Sequence, residues 1–406
     1  VLQVGSNISG PVVTESLVQA DLPYVLMSQS DEDIYRCNLL ARQVRSHPSA
    51  SETVILPVVC LSENMRALSY DTLRAQLGVS VYLFVHELPR HIEGLADIAL
   101  ARLQARATRE LRYLAHEIAR CRVGLALSAG GAKGLAHIGV IQVLEEQGIE
   151  IDMIAGTSIG GLIGALWAYG VSGDEMAHIA ERNKSFWGML KLIDPAFPPR
   201  QGFIRGRAIP RIIREAMGDA HFSDLNRQLR VVTTDLSTLE RVVHSSGAVG
   251  PVVHASMAMP GVVVPVRLHG RTLVDGGVAE PLPVDVLRDM GVEHVIAVNT
   301  IPNPEDLKTC RMITMEGKTV QHSRLVNWVS EHANYFHKGN ILDVWSKSMH
   351  GFETRVAEQA CRRADVVLRP TSCDGKWHDF SHPEKYIALG RQVAEMQLKQ
   401  IKTIAA

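Results

Sequence analysis

The sequence predicts an α/β fold: a mostly parallel sheet covered by helices on both faces over residues 123–406, preceded by a small α/β unit over 1–94 and a linker helix over 95–122. Three observations carry this expectation. From Val123 onward the pattern runs strand, Gly-rich turn, helix, then strand, tight turn, helix, the order that a parallel sheet with crossover helices requires. Ahead of residue 95, β-rich runs alternate with helical patterns. The 406 residues, 46% of them hydrophobic, can also bury a sizeable core in two domains or one large one.

In the N-terminal unit the β-rich runs are Tyr24 to Met27, Thr53 to Cys60 and Val81 to Val85, and the helical patterns are Asp31 to Arg45 and Ser69 to Leu77. Gly94 reads as a turn. The stretch from Leu95 to Arg122 is rich in Ala, Leu and Arg with no Gly or Pro inside it, as a helix prefers. Its Arg102, Arg106, Arg109, Arg112 and Arg120 recur at helical spacing, giving one basic face that suits a solvated linker or a membrane surface. In the second half, strands are expected at Val123 to Leu127 and Ile151 to Ala155, each followed by a helix, and a hairpin at Val266 to Leu268 and Thr272 to Val274 around His269-Gly270. The last patterned element is a helix from Pro383 to about Ile401, and there is no internal repeat or low-complexity tract.

Composition narrows the function classes. A formal net charge of -1 offers no global field to nucleic acid, and no DNA- or RNA-binding signature appears, so nucleic acid is not an expected partner. The six cysteines are far apart, without C-x-x-C spacing, which fits a reduced, cytoplasmic setting. The most apolar stretch, Val249 to Leu268, is broken by Pro251, His254, Pro260 and Pro265, so membrane contact is expected to be peripheral. The chain begins at Val1 with no basic-then-apolar segment, the pattern of a fragment of something longer.

The first chemical signal is Ser128-Ala129-Gly130-Gly131-Ala132-Lys133-Gly134, between a strand and a helix carrying Leu135, Ile138, Ile141 and Leu144. A Gly-rich turn at a helix start presents backbone N–H groups to an anion. A nucleotide P-loop would need Ser or Thr after Lys133, where Gly134 stands. A dinucleotide fingerprint would need Gly at Ala129 and an acidic residue ending the next strand, which ends instead at Gly156. An oxyanion hole is the third use, and no cofactor is implied.

The next signal is Gly156-Thr157-Ser158-Ile159-Gly160, leading into a helix with Gly161, Gly164, Ala165 and Ala168. This G-x-S-x-G pattern reads as a nucleophile elbow: the turn strains Ser158 and exposes its hydroxyl, and Gly156 and Gly160 remove the side chains that would collide. A serine needs a base to take its proton. The expected hairpin delivers Asp275-Gly276-Gly277, a carboxylate whose following glycines permit close approach, although Asp-Gly-Gly alone is an ordinary turn.

Together, S-A-G-G-A-K-G, G-T-S-I-G and D-G-G resemble the patatin-like phospholipases, in particular the branch related to neuropathy target esterase. Val232 to Leu236 and Ala255 to Gly261 resemble that branch too, so the likeness spans roughly Val123 to Thr300 and more weakly the C-terminus. The resemblance implies a patatin-like hydrolase acting on phospholipid or lysophospholipid esters. Ser158 would be its nucleophile, Asp275 the base of a Ser-Asp dyad, and the N–H groups around Gly130, Gly131 and Ala132 its oxyanion hole. One departure is Ala129, where the family usually has another Gly. No cyclic-nucleotide-binding segment of the kind that relatives often carry is found ahead of the hydrolase.

Several alternatives stay open from the sequence. A Ser-Asp-His triad could recruit His294 or His322, whereas His137 reads as a packed helix residue. His378 and His382 have H-x-x-x-H spacing, but Pro383 argues against one ligand helix, so no metal site is expected. The cluster Ser185-Phe186-Trp187-Gly188-Met189-Leu190, with Leu192 and Phe197, fits core packing or an acyl-chain entrance at a lipid interface. A transacylase shares the acyl-enzyme, and a non-catalytic binding or scaffold protein could share the fold. The N-terminal unit carries none of the proposed catalytic groups and is expected to regulate, dock or stabilise.

Overall fold

The computed structural model describes residues 11–20, 23–48, 55–61, 70–77, 83–86, 109, 111–182, 194, 201–303, 341–370 and 380–405. The chain divides into two compact units, Val1–Arg120 with His221–Asn226, and Cys121–Ala220 with Arg227–Ala406. The apolar cluster around Trp187, together with His322 and His378, lies outside the described residues.

In the first unit, strands β1 (Tyr24–Met27), β2 (Leu56–Leu61) and β3 (Leu83–His86) form a parallel sheet in that order. Helices Asp31–Ser46 and Tyr70–Leu77 connect them, each within one residue of the expected bounds, and a helix at Pro11–Val18 precedes them. The helix Asp31–Ser46 turns Ile34, Cys37, Leu40, Ala41 and Val44 inward, an i, i+3, i+4 stripe, against Val25, Met27 and Val59 of the sheet. Of the expected linker helix, residues 111–119 are described and helical. That helix stops at Arg120, whose φ is 56°.

The second unit is built on an eight-stranded sheet. Its path runs β11 (Val366–Leu368), β10 (His294–Val298), β4 (Val123–Leu127), β5 (Met153–Thr157), β6 (Gln228–Asp235), β9 (Arg271–Asp275), β8 (Val266–Leu268), with β7 (Arg241–His244) also paired to β6. The pairings from β11 to β6 are parallel, and those of β7, β8 and β9 are antiparallel. The fold is therefore the mostly parallel α/β sheet that the sequence implied. Helices cover both faces. A Cβ on Gly124 would strike Leu287 of the helix Val284–Asp289, whereas Leu127, three residues along and so on the opposite face, approaches Gly164 of the helix Ile159–Tyr169.

Two boundaries differ from expectation. β5 covers Met153–Thr157 rather than Ile151 to Ala155, so it delivers its last residue directly to Ser158. The C-terminal helix breaks into Pro383–Met396 and Leu398–Ile404. At the break Gln397 leaves helical geometry (φ -105°, ψ 11°) while its side-chain amide donates to the Val367 carbonyl at 3.2 Å.

Candidate active site

The site follows from how three strands share β6. Val231 and Val232 pair with both β5 and β7, so β5 and β7 occupy opposite edges of β6. Thr233 pairs with both β7 and β9, so β9 shares the edge that β5 occupies. On that one edge β5 runs parallel to β6 and β9 antiparallel, and they meet head on: Thr157 sits opposite Val232, and Asp275 opposite the next residue, Thr233. Ser158 and Asp275, distant in sequence, are thereby delivered to the same point by main-chain pairing.

Ser158 makes the whole change from strand to helix in one residue, at φ 57° and ψ -122°, a conformation an L-residue rarely adopts. Its backbone N–H donates to Ser256 Oγ at 2.8 Å, and Ser256 Oγ donates to the Val232 carbonyl at 2.6 Å. Thr157 Oγ1 donates to the Glu280 carbonyl at 2.8 Å. The two elbow glycines act by close approach. A Cβ on Gly156 would lie 2.5 Å from the Gly160 carbonyl oxygen, and one on Gly160 would lie 2.3 Å from that of Leu127.

The Ser158 hydroxyl does not cap the helix it starts. It donates instead to Asp275 Oδ2 at 2.7 Å, and Gly277 N–H donates to Asp275 Oδ1 at 2.7 Å. Asp275 is almost fully buried. Desolvation pushes its carboxyl up to about 7, opposed by the bonds from Ser158 and Gly277 and reinforced by the negative charge of Glu353. An ordinary Asp at ~3.9 is a poor base for an alcohol, and a carboxyl raised to about 7 is a better one.

The Gly-rich loop after β4 lines the same cavity through Ala129, Gly130 and Gly131. Gly130 has φ 153° and Gly131 φ 58°, and a Cβ on Gly130 would sit 2.2 Å from Thr300 Oγ1. Thr300 fastens the loop: its N–H donates to Ser128 Oγ at 2.9 Å and its hydroxyl to the Ala129 carbonyl at 2.9 Å. Ala129, the departure from the family pattern, turns its N–H to the Pro281 carbonyl at 2.8 Å, which directs that group away from any ligand. Ala132 is fully buried and is not among the cavity-lining residues.

His137 lies beneath the loop. Its Nε2–H donates to the Ser128 carbonyl at 2.9 Å, and burial pushes its imidazole down to about 4, so it is a neutral anchor of the loop near pH 7. His294 opens β10 opposite Val123, at the end of the sheet away from Leu127 and the elbow. The histidine that does reach the cavity is His350, with Glu353, both on the helix Ile341–Cys361. The rest of the lining is apolar, including Met257, Met259, Val262, Val263 and Phe380. Among the described residues no cluster of His, Cys, Asp or Glu could hold a metal ion, and no helix is long and apolar enough to cross a membrane.

Sequence reasoning missed Ser256, Thr300, His350 and Glu353 as parts of the site. Ser256 belongs to a segment whose resemblance was visible, but its bond to Ser158 spans 98 positions. Nothing in the local pattern of the other three marks them.

Residues 125–288 match the family described as Patatin-like phospholipase, so the chain carries a patatin-like phospholipase domain. An uncharacterized NTE family protein of Mycobacterium tuberculosis is 38% identical over 178 residues, 44% of this chain and 49% of that protein. The patatin-like phospholipase domain-containing protein 6 of Homo sapiens is 31% identical over 297 residues, 72% of this chain and 21% of that protein. A lysophospholipase, nte1, of Aspergillus fumigatus is 37% identical over 195 residues, 47% of this chain and 12% of that protein. The chain thus spans about half the length, or less, of these curated relatives. Among solved structures, VipD from Legionella pneumophila aligns with a TM-score of 0.37 and 14% identity, covering 70% of this chain and 67% of that one.

Proposed function

We propose that this chain is a serine esterase that hydrolyses fatty-acyl esters of phospholipids or lysophospholipids through a Ser158 acyl-enzyme, with Asp275 as the base. The observation that carries this reading is the 2.7 Å bond from a strained serine hydroxyl to a buried carboxylate, in a cavity that a Gly-rich loop also lines. The relatives' descriptions as phospholipases and a lysophospholipase supply the substrate class.

In the reaction Ser158 Oγ attacks the ester carbonyl carbon as its proton passes to Asp275 Oδ2. The carbonyl electron pair moves onto oxygen, and N–H groups around Gly130 and Gly131, with Ala132 behind them, stabilise the resulting oxyanion. Collapse breaks the bond to the leaving alcohol, which takes the proton from Asp275. Water then repeats the sequence on the acyl-enzyme and frees the fatty acid. Met257, Met259, Val262 and Val263 supply an apolar wall for the acyl chain. Contact with the lipid surface is peripheral in this reading, and the cytoplasm is the setting its widely spaced cysteines suit.

Because Asp275 must be ionised to accept the proton and is held at about 7, kcat/KM should rise with pH through about 7 and then level. Purified protein with a fluorescent phosphonate and a lysophospholipid tests the assignment. Labelling at Ser158 with release of fatty acid is expected. Labelling at Ser128 or Ser256, or no turnover of any acyl ester, would overturn it.

A further inference from the structure

Two ionisable side chains of the cavity have no part in the reaction just described. Glu353 and His350 stand one helical turn apart on the helix Ile341–Cys361, with Glu353 Oε2 3.3 Å from His350 Nδ1 and side-chain exposures of 13% and 26%. Gly277 fixes where the Glu353 carboxylate stands relative to the base. A Cβ on Gly277 would meet Glu353 Oε1 at 2.9 Å and Asp275 Oδ1 at 3.1 Å. Both oxygens are close to one point, so they lie no more than about 6 Å apart, within the range at which one charge governs another's proton affinity. The second glycine of Asp275-Gly276-Gly277 therefore does more than turn the chain: any side chain there would push the two carboxylates apart.

Among the described residues, Glu353, His350 and Asp275 are the only Asp, Glu, His, Lys or Arg residues lining the cavity. The Gly-rich loop contributes Ala129, Gly130 and Gly131, the elbow Ser158, and the segment after the helix Val249–Ser256 Met257, Met259, Pro260, Val262 and Val263, none of them charged. No cation is thus aimed at Asp275 from these elements, and among the described residues the ionisable partner of Glu353 is His350.

We propose that Glu353 is a positioning residue of the reaction: its carboxylate, held across Gly277 from Asp275, strengthens Asp275 as acceptor of the Ser158 proton, and His350 governs how much of that charge Asp275 feels. With His350 neutral the two carboxylates repel, and the deeper one binds a proton more tightly. With His350 protonated the charge of Glu353 is balanced and Asp275 becomes the weaker base. The inference rests on the esterase reading and adds to the dyad one carboxyl-imidazole pair that acts through Asp275.

The test is the pH profile of kcat/KM on a soluble p-nitrophenyl ester for the wild type, Glu353→Gln, Glu353→Asp and His350→Gln. Glu353→Gln should move the acidic limb to lower pH by roughly half a unit or more and lower the plateau several-fold, with KM little changed. Glu353→Asp should return the limb toward the wild-type position. His350→Gln should move it the opposite way, to higher pH. A Glu353→Gln limb that stays in place or moves upward overturns the proposal, as does a loss that is uniform in pH. If Glu353→Gln does not fold, His350→Gln decides, and a limb that fails to rise overturns it. Failure of the esterase reading looks different, because the wild type itself would then show neither turnover nor phosphonate labelling at Ser158.

Discussion

Ser30 and Ser158 each stand immediately before a helix that follows a parallel strand, and they end up in opposite states. β1 ends at Met27, so Ser28, Gln29 and Ser30 share the change of direction; Ser30 stays extended at φ -69° and ψ 146°, and its hydroxyl accepts from Asp33 N–H as an ordinary cap. β5 ends at Thr157, so Ser158 alone makes the change, at φ 57°, and its hydroxyl leaves the helix for Asp275. The same residue type on the same kind of connection caps a helix where the linker has slack and, in our reading, is poised for chemistry where it has none. Connection length, rather than fold class, separates the two.

Removing the Ser158 hydroxyl tests the contrast between the two serines most directly. Ser158→Ala should abolish ester hydrolysis and phosphonate labelling, a loss of at least about 10⁴-fold, in a protein that still folds. Ser158→Gly should be equally inactive yet melt higher than Ser158→Ala, since glycine adopts this backbone conformation without the cost of roughly 1–3 kcal/mol. Equal melting temperatures for the two variants would show that the elbow stores no strain.

Asp275→Asn comes next. Asn can accept from Gly277 N–H and donate to Ser158 Oγ, keeping the contacts while removing the base, so activity should fall by several orders of magnitude. Stability should go the other way. The folded carboxyl titrates at about 7, above its unfolded ~3.9, so the folded state holds a proton that the unfolded state releases. Wild-type stability relative to the Asn variant should therefore be greatest below about pH 4, decline as pH rises toward 7, and level off above it. Thermal melts at pH 4, 6 and 8 measure this directly, and a pH-independent difference would show that burial does not perturb Asp275.

The Gly-rich loop, the elbow and the Asp-Gly-Gly turn were legible because each is a local pattern whose glycines answer to a nearby clash. The extent of β5 was less so. Gly156 and Thr157 look like turn residues, but Gly156 is extended and lacks a side chain because the Gly160 carbonyl passes over it. The head-on meeting of β5 and β9 on one edge of β6 was not legible at all, because it depends on which edge each strand takes, and one chain read alone carries no signal of that. Ser256, Glu353 and His350 reach the site through the same long-range pairing and packing, so their types and spacing look unremarked in the sequence.

Ser256→Ala tests how far the elbow depends on such a distant partner. It leaves the buried Ser158 N–H without its acceptor and removes the Ser256 hydroxyl as a donor to the Val232 carbonyl, which should cost about 1–3 kcal/mol in stability. Loosening of the turn should slow phosphonate labelling by roughly 10-fold to 100-fold, with Ser158 remaining the labelled residue. Labelling at the wild-type rate would mean that chain connectivity alone holds the elbow.

The smallest effect belongs to the other serine. Ser30→Ala removes the acceptor of Asp33 N–H, a loss typically worth ~1 kcal/mol. The first turn keeps a second tie, since Asp33 Oδ2 accepts from Ser28 N–H at 3.0 Å and from Ser28 Oγ at 2.6 Å, so the cost should fall near the lower end, about 0.5 kcal/mol. Urea unfolding followed by far-UV circular dichroism reads it as a small fall in midpoint. kcat/KM and the phosphonate labelling rate should not change, because in our reading this capping serine bears on folding and only the serine of the one-residue turn bears on chemistry. If Ser30→Ala slows labelling beyond what its stability loss explains, the N-terminal unit takes part in forming the site, and the separation between a structural and a reactive serine fails at its structural end.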